Sequence, residues 1–159
     1  MDDSRVRAYA KLLVERCIDP QPGWQVLVAA TTEARPLARE LSRLLAARGA
    51  FALPRISFGA PFPLDLDWIE AAPAELAGRL APLEQGVLDS VDASIFVLAP
   101  EDADATARLG PEASRAFRLH VSAQRLRGRA GETPSVRCDF PCRAYAEAAG
   151  LSLADFEDL

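Results

Sequence analysis

The carboxylates that could do chemistry in this chain gather behind apolar runs. Glu101, Asp102 and Asp104 follow Ala93–Ala99, ASIFVLA, and Asp139 lies near the end of SVRCDF. Thr31 and Thr32 follow WQVLVAA in the same way. If the runs are parallel strands, these residues share the carboxyl edge of one sheet, where open α/β folds bind ligands. A negative rim there suits a cation such as the ammonium end of a peptide. Helix capping and plain solvation account for the same side chains without any function.

The remaining reactive types are sparse. The single histidine, His120, falls on the apolar stripe of a helix, which reads as a buried, satisfied side chain. Cys17, Cys138 and Cys142 are an odd set without framework spacing, so free thiols in a reducing compartment are expected. Three residues separate Cys138 from Cys142, which suits neither a redox pair nor a zinc knuckle. Arg35, Arg39 and Arg43 recur at i, i+4 spacing and read as a solvated helix face. Arg115, Arg118, Arg125 and Arg129 form a second basic stripe that could meet an acidic partner, with a solvated or domain-contacting face as the plainer account.

Several chemistries lack their residues. The turn AATTEARP after the first strand has no glycine, so it offers neither a dinucleotide fingerprint nor a phosphate cradle. Lys11 is the only lysine, which disfavours a phosphoacceptor receiver, and no Gly-x-Ser-x-Gly elbow occurs. With 159 residues, half of them hydrophobic, the chain can build one real core. A net charge of -5 argues against a nucleic-acid binder, whose affinity rests on neutralising phosphates. No run approaches the ~20 apolar residues of a membrane span. MDDSRVRAYA begins acidic and passes into a helical pattern, so no secretory leader is expected in it.

The elements that must position these residues follow from periodicity. Val26, Val28 and Ala30 point to one side of a strand and Leu27 and Ala29 to the other, so Trp24–Ala30 is predicted to be central in a parallel sheet. Before it, Val6, Tyr9, Ala10, Leu13, Val14 and Cys17 mark one buried helix face. Pro22-Gly23 suits a type II turn. After it, Thr31 or Thr32 is placed to cap a helix striped by Leu37, Leu41, Leu44 and Leu45 and stopped at Gly49. A second strand over 52–58 contains Pro54, so it is an edge or begins after the proline. A loop is expected at 59–64, then short helices opened by Asp65 or Asp67, by Pro73 (74–80) and by Pro82. Strand 93–99 is central. Pro111 opens a helix to about Arg127, with Ala113, Ala116, Phe117, His120 and Val121 inward and a loop at 128–134. A fourth strand, 135–140, and a short helix, 143–149, follow. The pattern predicts an α/β fold: an open, mostly parallel sheet of about four strands with helices on both faces. Ser152 with Asp155 starts another capped helix near the end, which suggests a chain that continues.

Three segments carry a family resemblance. They are DPQPGWQVLVAA after the YAKLLVERC helix, VDASIFVLAPED, and CDFPCRAYAEAAGLSLADFEDL, the last being the most specific. Together they resemble the N-terminal domain of the thermophilic metallo-aminopeptidases of the aminopeptidase T and aminopeptidase S type. The resemblance spans nearly the whole chain in order and is carried least by 59–85. It implies a cytoplasmic, dimeric exopeptidase that removes N-terminal residues from peptides with two divalent metal ions, zinc or cobalt. It implies no cofactor in this chain, because that family's metal ligands and catalytic tyrosine belong to a second domain. Residues 1–150 would be the α/β domain and 151–159 the start of a segment leading to the catalytic domain. The partners implied are peptide substrates and that catalytic domain, with no nucleic acid and no membrane. No catalytic or metal residue transfers; Thr31, Thr32, Glu101, Asp102 and Asp139 are the candidates to face a ligand or the other domain. A reading from a different class is a self-contained, non-enzymatic α/β binding module.

Overall fold

The computed structural model describes residues 3–58, 65–130 and 133–158, and for 123–130 the backbone alone. The loop expected at 59–64 and the side chains of Arg125 and Arg129 lie outside the described residues.

Four parallel strands form the sheet: β1 (Gln25–Thr31), β2 (Phe51–Ser57), β3 (Ala93–Leu98) and β4 (Ser135–Asp139), in the order β2-β1-β3-β4. β1 is central, as its two apolar faces require. Val26, Val28 and Ala30 pack with Ile95, Val97 and Cys138 under helices α1 (Asp3–Leu12) and α2 (Arg35–Ala47). Leu27 and Ala29 pack on the opposite side with Leu53, Phe96, Val87, Leu88 and Val91. That side is covered by α5 (Pro82–Ser90), against which α6 (Pro111–Ala130) packs, with α3 (Leu66–Ala71) and α4 (Ala74–Ala77) against α6. Each fully buried Val or Leu contributes roughly 1.5–3 kcal/mol, so β1 anchors both layers.

β2 is an edge strand, which is how it tolerates Pro54. The Phe51 amide donates to the Trp24 carbonyl, so the amides of alternate residues point toward β1. Pro54 falls in the other set, and its missing N–H lies on the open edge. The turn before β1 closes through the Trp24 amide and the Gln21 carbonyl (3.1 Å), with Gly23 at φ 88°. Gly49 follows α2 at φ 75°.

Four expectations are corrected. α1 passes into a π-helical turn, Leu13–Ile18, closed by Asp19 N–H donating to the Val14 carbonyl (2.8 Å). The wider turn rotates the inner face onto Leu13, Val14 and Ile18 and leaves Cys17 exposed. Thr31 and Thr32 do not cap: a 3₁₀ turn, Thr32–Ala34, precedes α2, and its N-cap Ala34 makes no side-chain bond. The piece after Pro73 stops at Ala77, and α6 runs through Gly128 to Ala130. Asp65 caps α3, accepting from Asp67 and Trp68 amides at 3.0 and 3.2 Å. Two short helices, α7 (Arg143–Ala148) and α8 (Leu153–Glu157), complete the fold. No helix among the described residues is long and apolar enough to cross a membrane.

Candidate functional site

The chain leaves β1 toward β2 on one side and returns to β3 on the other. This reversal places the crevice of an open α/β sheet outside the carboxyl ends of β1 and β3. Thr31, Thr32, Glu101 and Asp102 all lie at that edge, and Asp139 ends the neighbouring β4.

The threonines join the two strand ends. Thr31 is buried and its Oγ1 donates to the carbonyl of Ala99. Thr32 Oγ1 donates to Glu101 Oε1 at 2.5 Å. Cys142, buried just ahead of α7, donates from Sγ to the Pro100 carbonyl at 3.3 Å. Asp102 turns the other way: it accepts from the Asp104 amide at 2.9 Å and pairs with Arg108. Of the five candidates, Thr31, Thr32 and Glu101 are thus brought together, while Asp102 and Asp139 each bond to groups of their own.

Asp139 sits between two tyrosines. Tyr145 Oη donates to its Oδ1 at 3.0 Å, and Tyr9 Oη donates to its carbonyl at 3.1 Å. Burial raises both phenols above their ordinary range, with the nearby Asp139 charge adding in the same direction. Burial also pushes the Cys138 and Cys142 thiols up, against hydrogen bonds from Tyr9 and from the Tyr145 and Ala144 amides respectively. These thiols are held neutral, which suits packing and not nucleophilic attack. Periodicity assigned Tyr9 only to a buried face; its reach to Asp139, 130 positions away, has no local signal.

His120 is buried on the other side of the sheet, its Nε2 3.4 Å from Glu84 Oε2. Glu84 Oε1 accepts from an Arg55 guanidinium nitrogen at 2.7 Å. These contacts link β2, α5 and α6. Sequence reasoning placed His120 inside but named neither Glu84 nor Arg55, which lie on separate elements. Among the described residues, no group of three or more His, Cys, Asp or Glu side chains is placed to hold a metal ion.

No protein-family model matches this chain, and no curated protein sequence matches it. Among solved structures, the fold is similar to that of wild-type AmpT, aminopeptidase T, from Thermus thermophilus. The likeness has a TM-score of 0.70 at 19% identity and covers 96% of this chain. This chain spans 40% of the length of that protein.

Proposed function

We propose that this chain is the N-terminal, non-catalytic α/β domain of a metal-dependent aminopeptidase that removes N-terminal residues from peptides. The observation that carries the reading is the likeness to aminopeptidase T over 96% of this chain and 40% of that one. The three sequence segments resembling the same family point the same way. The described residues do not fit a dinuclear metal centre, so no step of peptide cleavage is assigned to them. The domain's own contribution is positional. The Thr31 and Thr32 bonds hold the ends of β1 and β3 together, so this edge offers the catalytic domain a fixed surface on which Glu101 and Asp139 are already bonded to Thr32 and Tyr145.

The test has two arms. The 159-residue chain, assayed on leucyl-p-nitroanilide with zinc or cobalt, is expected to give no turnover above a metal-only blank. Reading the gene downstream of the Leu159 codon is expected to reveal a Glu- and His-bearing second domain. Turnover by the chain, or a stop codon directly after Leu159, would overturn the proposal.

A further inference from the structure

The structure places a basic groove between α1 and α2, on the side of the sheet that these two helices cover. It encloses about 850 Å³ and is lined by Asp3, Arg7, Arg35, Arg39, Glu40 and Arg43 around the Val6 and Pro36 side chains. Arg35, Arg39 and Arg43 alone are one exposed helix face. The fold adds Arg7 from the opposite wall, which no spacing in the sequence announces.

The arginines are not used up by each other's partners. Arg43 forks onto Glu40, with bonds of 2.9 and 2.6 Å, and this holds the Glu40 carboxyl below its ordinary range, the nearby Arg7 charge adding in the same direction. Arg7, Arg35 and Arg39 enter no ion pair among the described residues. In a chain of net charge -5, such a concentration of guanidinium groups is a local reversal of sign.

The geometry points to an acidic polypeptide segment, bound extended along α2, as the occupant of this groove. Residues four apart on a helix are about 6 Å apart along its axis. Alternate side chains of an extended peptide repeat at about 6.7 Å and face the same way. Carboxylates at every second position therefore meet Arg35 and Arg39 in turn, with Arg7 closing from the other wall. Guanidinium forks match carboxylates two bonds at a time. Glu40 and Asp3 select against a nucleic-acid strand, which carries a charge at every step, whereas a peptide can set neutral residues beside them.

The experiment uses the chain with a fluorescein-labelled peptide of alternating Glu and Ser, read by fluorescence anisotropy. Saturable binding is expected, weakening as salt rises from about 50 to about 200 mM and the screening length shortens. Arg35→Glu/Arg39→Glu is expected to weaken it by about tenfold or more, and Arg39→Gln by a smaller factor. Arg16→Glu/Arg118→Glu carries the same charge change outside the groove and is expected to stay within about twofold. No saturable binding, equal loss in the two double variants, or tighter binding of single-stranded DNA of equal length would each overturn the inference. The result is independent of peptidase activity, so it stands or falls apart from the proposed function.

Discussion

At the ends of β1 and β3 the polar side chains meet one another. Between α1 and α2 they face open space. Thr31, Thr32 and Glu101 close the crevice through bonds to Ala99 and to each other, so the place where an open α/β sheet usually takes a ligand is a seam. Arg7, Arg35 and Arg39 line a groove and form no ion pairs among the described residues. The contrast shows that topology alone does not locate binding. What matters is whether the polar groups at a site already have partners.

The contrast can be broken at the groove first. Leu41 is fully buried in the core on α2, the helix that carries Arg35 and Arg39. Leu41→Ala is expected to cost about 2–5 kcal/mol in urea unfolding. Arg35→Glu/Arg39→Glu, on the exposed face of the same helix, is expected to shift stability by no more than about 0.5 kcal/mol per site. A comparable loss from the arginine pair would mean that they hold the fold and do not form a free surface.

A smaller effect sharpens the other region. Tyr9 and Tyr145 hold their protons above the ordinary value of 10.0 in the folded chain. Above that pH the unfolded chain loses phenolic protons that the folded chain keeps. The folded state then binds more protons, and stability falls as pH rises past about 10. Tyr9→Phe/Tyr145→Phe is expected to flatten that alkaline slope while lowering stability at pH 7 through the lost bonds to Asp139. An unchanged slope would place the alkaline loss elsewhere.

Much of this architecture was legible in the residues. The alternation of Val26, Val28 and Ala30 with Leu27 and Ala29 needs two covered faces, and Pro54 needs an edge or a strand that starts after it, of which the fold takes the edge. Both are consequences of a period of two and of a missing amide. The π-helical turn was not legible, because the spacing of Leu13, Val14 and Cys17 fits an ordinary α-helix; the wider turn is why Cys17 is exposed. The threonines read as caps because capping is a local signal. Their actual partners lie 68 and 69 positions away and depend on strand order. The same holds for Arg7, whose place opposite Arg35 and Arg39 comes from the packing of α1 on α2.

The most direct measurement compares Thr31→Val with Thr32→Val in chemical unfolding. The Thr31 hydroxyl satisfies a buried carbonyl, so its removal is expected to cost about 1–3 kcal/mol. The Thr32 hydroxyl bonds to exposed Glu101, and its removal is expected to cost no more than about 0.5 kcal/mol. A neutral Thr31→Val, or equal losses from both, would contradict a crevice closed from within.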